Sequence, residues 1–128
     1  MIIWTTDELN KIGTAEELEI ASLRRDSTLR SSRTIWVVRV GDDLYVRSVN
    51  GRGSDWFRGV QTRHEGHIQA GGVEKDVTFE EAIDPTIHEQ IDAAYYQKYS
   101  HHPKAYVDAC ATPAARAATI KLVPRQVG

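Results

Sequence analysis

The stretch Thr34-Ile35-Trp36-Val37-Val38-Arg39-Val40-Gly41-Asp42-Asp43-Leu44-Tyr45-Val46-Arg47-Ser48 decides the fold of this 128-residue chain. Apart from Arg39, its first seven residues are β-branched or aromatic, which is typical of a central strand covered on both faces. Gly41-Asp42-Asp43 predicts a turn, and residues 44–49 predict the returning strand. We therefore expect a β-hairpin within an antiparallel sheet.

Further strands are predicted on both sides of this hairpin. Residues 18–23 alternate between apolar and other side chains, and Gly71-Gly72 separates a second hairpin of residues 67–70 and 73–79. A last strand covers residues 119–123 and is stopped by Pro124. The sequence thus predicts about six strands, most of them joined by hairpins.

Helices are predicted at the start of the chain and after residue 84. Thr5 and Glu8 have the spacing of a capping box, and Asp84-Pro85 opens a long helix. The apolar face of that helix is Ile87, Ile91, Ala94, Tyr95 and Tyr99. We expect one α+β domain over residues 1–128, with an N-terminal helix at 1–16, a helical segment at 84–118 and the final strand at 119–125.

Composition is that of an ordinary globular protein, with 41% hydrophobic and 27% charged residues. The chain has one cysteine, Cys110, no apolar run long enough to span a membrane and no signal-peptide pattern, so we expect a cytoplasmic protein. The formal net charge of −2 argues against a dedicated nucleic-acid-binding protein.

Charge is distributed unevenly along the chain. Residues 24–63 hold nine of the eleven arginines, no lysine and four acidic residues, a formal balance of +5. A guanidinium group binds phosphate or carboxylate through two parallel hydrogen bonds. This concentration predicts an anion-binding surface; the alternative interpretation is a solvated strand face.

Two segments within this region are candidate anion sites. Gly51-Arg52-Gly53 leads into a helix that starts near Ser54, where free N–H groups favour an anion and Trp56 lies one turn further on. Arg30-Ser31-Ser32-Arg33 places two guanidinium and two hydroxyl groups directly before the predicted central strand. The alternatives are an ordinary strand-to-helix turn and a mobile polar loop.

Other groups give weaker indications of chemistry. An inward-facing Arg47 or Arg39 needs an anion, and the scarcity of acids in the strands favours an external one. The five histidines show no metal-ligand spacing, so no metal is predicted, and no arrangement of side chains identifies a catalytic residue.

The order of these segments is similar to that of the split β-barrel flavoproteins, most closely their deazaflavin-dependent nitroreductase branch. Tyr106-Val107-Asp108 and residues 118–125 resemble a small bacterial family of unknown function that is grouped with that fold. The resemblance covers residues 17–125. In place of the glycine- and lysine-rich turn usual in the nitroreductase branch, this chain has Thr28-Leu29-Arg30-Ser31-Ser32-Arg33.

The resemblance implies a six-stranded antiparallel split barrel with flanking helices, FMN or a deazaflavin as cofactor, and a homodimer. It also implies that the cofactor phosphate is held by three segments: Arg30, Ser31, Ser32 and Arg33; Arg47 and Ser48; and Gly51, Arg52, Gly53 and Trp56.

Three functions follow as hypotheses. They are a flavin- or deazaflavin-dependent oxidoreductase, a non-enzymatic module for a phosphorylated metabolite or nucleic acid, and a structural domain whose arginines pair with acids of residues 84–118.

Overall fold

The computed structural model describes residues 3–125, so residues 1–2 and 126–128 of the predicted domain lie outside the described part. The strands are β1 (Leu18–Ser22), β2 (Arg33–Ile35), β3 (Val38–Val40), β4 (Asp43–Arg47), β5 (Glu65–Ala70), β6 (Val73–Glu81) and β7 (Thr119–Pro124). The α-helices are α1 (Thr6–Thr14), α2 (Asp55–Thr62), α3 (Pro85–Lys98), α4 (Lys104–Asp108) and α5 (Pro113–Ala117). No helix in this part is long and apolar enough to cross a membrane.

The seven strands form one antiparallel sheet in the order β2-β1-β5-β6-β7-β4-β3. The sheet curls into a half-barrel, and the helices flank it, which confirms the predicted α+β split-barrel class. β7 pairs with β6 on one side and with β4 on the other, so it joins the two parts of the sheet.

The segment of residues 34–40 is not the single central strand that its composition predicts. It divides into β2 and β3, which lie at opposite ends of the sheet, and this division gives seven strands instead of six. The break falls at Val37, whose N–H donates to Tyr99 Oη (3.1 Å) and whose carbonyl accepts from Lys98 Nζ (2.6 Å). Because the side chains of Lys98 and of Tyr99, the residue after α3, satisfy these backbone groups, Val37 does not need a neighbouring strand.

Local signals at the N-terminus are confirmed. Thr5 and Glu8 form the predicted capping box at the start of α1. Trp4 is 5% exposed, and its indole N–H donates to the carbonyl of Leu122 (2.9 Å), so it packs as predicted and ties α1 to β7.

Two apolar clusters form the core. The larger one fills the half-barrel between the sheet, α1 and α2, and includes Phe57 and Phe79. The smaller one lies under α3 and consists of Val38, Tyr45, Ile91, Tyr95, Tyr99, Val107 and Cys110. The predicted apolar face of α3 is therefore confirmed, since Ile91, Tyr95 and Tyr99 are buried there and Ile87 and Ala94 pack against them.

Candidate ligand-binding site

Three adjoining cavities run along β2, and Trp56 lines all of them. Their volumes are about 190, 500 and 280 Å³ from the basic end to the apolar end. We call them together the β2 groove, bounded by Arg30, Arg33–Trp36, Val49–Asn50 and Trp56. Since small-molecule sites usually span about 300–1,000 Å³, the groove offers room for an extended ligand.

The basic end of the groove carries three arginines and two serines. Arg24, Arg30, Arg33, Ser22 and Ser31 line this cavity together with Asp55, Trp56 and two apolar residues. Asp55 is the one acid among them, and its carboxylate pairs with Arg58 (2.9 Å). The wall therefore has a formal excess of positive charge and several hydrogen-bond donors, as an anion requires.

Arg30 has an unsatisfied donor at this end. Its Nε atom is buried and has no hydrogen-bond partner among residues 3–125. A buried charged donor without a partner costs several kcal/mol, which a bound anion would offset. Gly59 lets α2 pack closely against this donor, because a Cβ there would lie 2.6 Å from Ser22 Oγ and 3.1 Å from Arg30 Nε. We call this arrangement of Arg30, Ser22 and Gly59 the cradle.

The apolar end of the groove is lined mainly by aromatic and aliphatic side chains: Ile35, Trp36, Val49, Trp56, Tyr95, Tyr106, Ala109 and Cys110. Trp36 is held in place because its ring stacks on Tyr99, with centroids 4.0 Å apart and planes 4° apart. Burial raises the pKa of the Cys110 thiol to about 11 and also raises the pKa of Tyr95, so both groups are neutral near pH 7. This end accommodates an uncharged or weakly polar ring system.

The loop between β4 and α2 borders the middle of the groove. Ser48 Oγ and Ser54 Oγ lie 2.7 Å apart and connect the two ends of the loop. Gly51 has φ of +78° and its N–H donates to the carbonyl of Ser48 (3.0 Å), a conformation that favours glycine. Ser54 is the residue before α2, as the sequence predicted.

Arg47 is buried and fully hydrogen-bonded within the protein. Its five N–H groups all have acceptors. Three of them contact Asp92, the carbonyl of Cys110 (2.8 Å) and Thr119 Oγ1 (2.9 Å). The other two contact His88, one at Nδ1 (3.1 Å) and one at the carbonyl (3.3 Å). His88 Nε2 donates to the carbonyl of Ala82 (2.8 Å), which leaves Nδ1 as an acceptor for Arg47. The anion that an inward-facing Arg47 needs is thus Asp92 of α3, so the expectation of an external anion is wrong for Arg47.

Arg52 also contacts the protein. Its guanidinium group donates to Glu81 (2.5 Å) and to the carbonyl of Ala117 (2.9 Å), and it lies 5.2 Å from the ring of Phe57. These contacts fasten the Gly51–Gly53 turn to β6 and to the end of α5.

The structure brings seven of the ten predicted site residues to the walls of the β2 groove: Arg30, Ser31, Arg33, Arg47, Ser48, Gly53 and Trp56. Ser32, Gly51 and Arg52 do not line any of the three cavities. Sequence reasoning missed Arg24, Ser22 and Gly59. The signal for Gly59 was a glycine inside a helix, which often marks a close approach.

The chain belongs to a family described as uncharacterised proteins conserved in bacteria (DUF2255), whose model matches residues 8–122. No curated protein matches it in sequence.

Several solved structures share its fold. They include a candidate pyridoxamine 5′-phosphate oxidase from Listeria innocua (17% identity, 92% of this chain and 90% of that one, TM-score 0.66). An F420 reductase matches at 13% identity over 94% and 93% of the two chains (TM-score 0.56). An FAD- and haem-binding protein from Mycobacterium smegmatis matches at 20% identity over 97% and 67% (TM-score 0.55). The predicted split-barrel relationship is confirmed at the level of the fold.

Proposed function

We propose that this protein binds FMN or a deazaflavin in the β2 groove and acts as an oxidoreductase. The observation that carries the proposal is the buried, unpartnered Nε of Arg30 in a basic cavity that adjoins an aromatic one across Trp56. Such a groove matches a ligand with a phosphate at one end and a fused ring system at the other. Flavin- and F420-associated proteins of the same fold support the choice of ligand class.

Each end of the groove has a defined part in this proposal. Arg30, Arg33 and Arg24, with Ser22 and Ser31, would hold the phosphate. Trp56 and Trp36 would contact the ring and exclude water from it. The bound cofactor would supply hydride transfer, so the protein needs no nucleophilic side chain.

The test compares ligands that differ by one group. Untagged protein, purified without added cofactor, is examined by absorption and mass measurement and then titrated with FMN, riboflavin and a deazaflavin cofactor. We expect FMN or the deazaflavin to bind and riboflavin, which lacks the phosphate, to bind at least about tenfold more weakly, because a charge-assisted hydrogen bond contributes about 1.5–3 kcal/mol. A colourless protein that binds none of them at millimolar concentration refutes the proposal.

The second candidate is a non-enzymatic module for a phosphorylated metabolite, and the basic cavity alone favours it. Its binding would show no preference for an isoalloxazine ring and would be equal for FMN and for phosphorylated compounds without a flavin. Nucleic acid is less favoured as the ligand of such a module than a phosphorylated metabolite. The three arginines line a concavity that also contains the carboxylate of Asp55, and do not form an open basic surface along which a nucleic-acid backbone would lie. Steep salt dependence with single-stranded nucleic acid would favour it.

A homodimer and a cytoplasmic location complete the proposal. Val49 and Tyr106, at the apolar end of the groove, are 48% and 64% exposed, and a second copy of the chain would cover them. Light scattering at micromolar concentration tests the dimer, with Tyr106→Glu as the variant expected to dissociate it.

A further inference from the structure

A second cluster of ligating groups lies outside the β2 groove. Nε2 of His101 and Nε2 of His102 both approach the same carboxylate oxygen of Glu16, Oε1, and the His101 distance is 3.1 Å. One ligand atom of each residue lies within 4.8 Å of the other two. Glu16 and His101 are more than half exposed at their side chains, so solvent reaches the cluster.

We propose that Glu16, His101 and His102 form a binding site for a divalent first-row transition metal such as Zn²⁺. Two imidazoles and one carboxylate are a donor set that such ions prefer. Ligand atoms around a tetrahedral zinc ion lie roughly 3.3–3.6 Å apart, as follows from metal–ligand bonds of about 2.0–2.2 Å. The His101–Glu16 separation of 3.1 Å is within a few tenths of an ångström of that range, whereas His102 Nε2 lies closer to Oε1 and would move outward on metal binding.

The surroundings hold the backbone of Glu16 and both the backbone and the ring of His102 in place. Tyr99 Oη lies 3.0 Å from the carbonyl of Glu16, and the N–H of His102 donates to the carbonyl of Tyr99 (3.0 Å). The ring of His102 packs 4.7 Å from Trp36, and Pro103 restricts the chain that follows. Such preorganisation lowers the entropic cost of metal binding.

His67 shows why the convergence of donor atoms matters. It also lies between two acids, but its Nδ1 contacts Asp76 (3.0 Å) and its Nε2 contacts Glu74 (3.1 Å). One ion cannot use both nitrogens of one imidazole, so these three residues do not provide a common site. His67 therefore offers a matched control with the same residue type in an acidic setting.

The test is a Zn²⁺ titration of untagged, EDTA-treated protein by calorimetry. We expect one equivalent to bind to the parent, and binding to be weakened at least about tenfold in His102→Ala and in Glu16→Gln, because even partners outside the ligand shell contribute tenfold or more. His67→Ala is expected to bind Zn²⁺ like the parent. Circular dichroism establishes that each variant is folded.

Two further readouts are specific to this location. Cu²⁺ is expected to quench the fluorescence of Trp36, which packs against His102, and the quenching is expected to be lost in Trp36→Phe. Zn²⁺ is also expected to raise the melting temperature of the parent but not of the His101→Ala/His102→Ala variant. No uptake at 1:1 stoichiometry, or equal uptake by Glu16→Gln and the parent, overturns the proposal.

Discussion

Arg47 and Arg30 come from the same arginine-rich part of the sequence, but their guanidinium groups have opposite environments. All five N–H groups of Arg47 have acceptors within the protein, whereas the buried Nε of Arg30 has none among the described residues. Arg47 therefore holds α3 and the following segment against β4, while Arg30 keeps a donor that our proposal assigns to a ligand. Both arginines carry the same charge, so charge alone does not distinguish them. They differ in the number of guanidinium N–H groups that have no acceptor within the protein.

The largest expected effect is the loss of stability in Arg47→Met. The substitution leaves the Asp92 carboxylate and the Cys110 carbonyl without their buried partner, so the free energy of unfolding is expected to fall by about 3–5 kcal/mol. Urea unfolding followed by circular dichroism measures it. Arg116→Met is the control, because Arg116 contacts the same carboxylate but its side chain is 47% exposed. This substitution is expected to lower the free energy of unfolding by less than about 1 kcal/mol. Equal stability of the two variants would remove the distinction between Arg47 and the surface arginines.

Arg30→Met is expected to lower ligand affinity and not stability, the reverse of Arg47→Met. Affinity for FMN, or for the deazaflavin if the parent prefers it, should fall about tenfold to a hundredfold, since one charge-assisted hydrogen bond is lost. Stability without ligand should rise, because the unpaired buried donor is removed. Fluorescence titration measures the affinity. Arg25→Met, an exposed arginine of the same loop, is the control, and an unchanged affinity in Arg30→Met would count against the phosphate cradle.

Gly59→Ala tests the cradle without changing any charge. Its Cβ would approach Ser22 Oγ and Arg30 Nε, so affinity is expected to fall by up to about tenfold. Gly53→Ala provides the comparison, because a Cβ there meets no atom within 4 Å and the φ of Gly53 is not positive. Ligand titration of both variants is the measurement, and equal affinities would show that the space at Gly59 is not used.

The Arg47 network also predicts a dependence of stability on pH. Burial acts to raise the pKa of Asp92, but hydrogen bonds from Arg116 and Arg47 outweigh it and bring the pKa below its usual value. A lowered folded-state pKa contributes stability above the unfolded-state value of about 3.9, and this contribution is lost as the pH falls through the folded-state pKa.

The stability difference between the parent and Asp92→Asn is therefore expected to be largest near pH 6 and to shrink below pH 4. Urea unfolding across this pH range measures it. Asp42→Asn, at an exposed carboxylate, should follow the parent at every pH. A difference that does not vary with pH would mean that the charge of Asp92 is not what Arg47 requires.

The smallest effect is expected for Arg52→Ala. The Arg52–Glu81 pair is 46% and 33% exposed at its two side chains, so its loss should cost less than about 1 kcal/mol. Because these contacts direct Arg52 away from the groove, ligand affinity should change by less than about twofold. A larger fall in affinity would restore the interpretation that the Gly51-Arg52-Gly53 loop contacts the phosphate.

Local sequence signals predicted most of the elements. The capping box at Thr5, the turns at Gly41 and Gly71, and the proline that opens α3 depend on neighbouring residues, and the structure confirms each of them. The bend at Val37 was not predictable in this way, because the side chain that satisfies its backbone is Tyr99, 62 residues later.

The candidate site shows the same limit. Arg30, Ser31 and Arg33 are neighbours in sequence and were recognised together, but Ser22 and Gly59 reach them only through the pairing of β1 and the packing of α2. The sequence offers Arg47 and Arg39 equally as inward-facing arginines, because the partner that distinguishes Arg47, Asp92, lies 45 residues away on a helix. Pairing over such distances is set by the fold and leaves no local pattern.

The position of β7 has a consequence for how the chain is made. Until β7 is added, β2-β1-β5-β6 and β4-β3 are separate pieces of sheet, since only β7 pairs with both β6 and β4. On the ribosome these pieces must therefore wait, with their edges unpaired, until residues 119–124 have left the exit tunnel. Long-range strand pairing of this kind folds slowly, and the unpaired strand edges stay open to aggregation until β7 is in place.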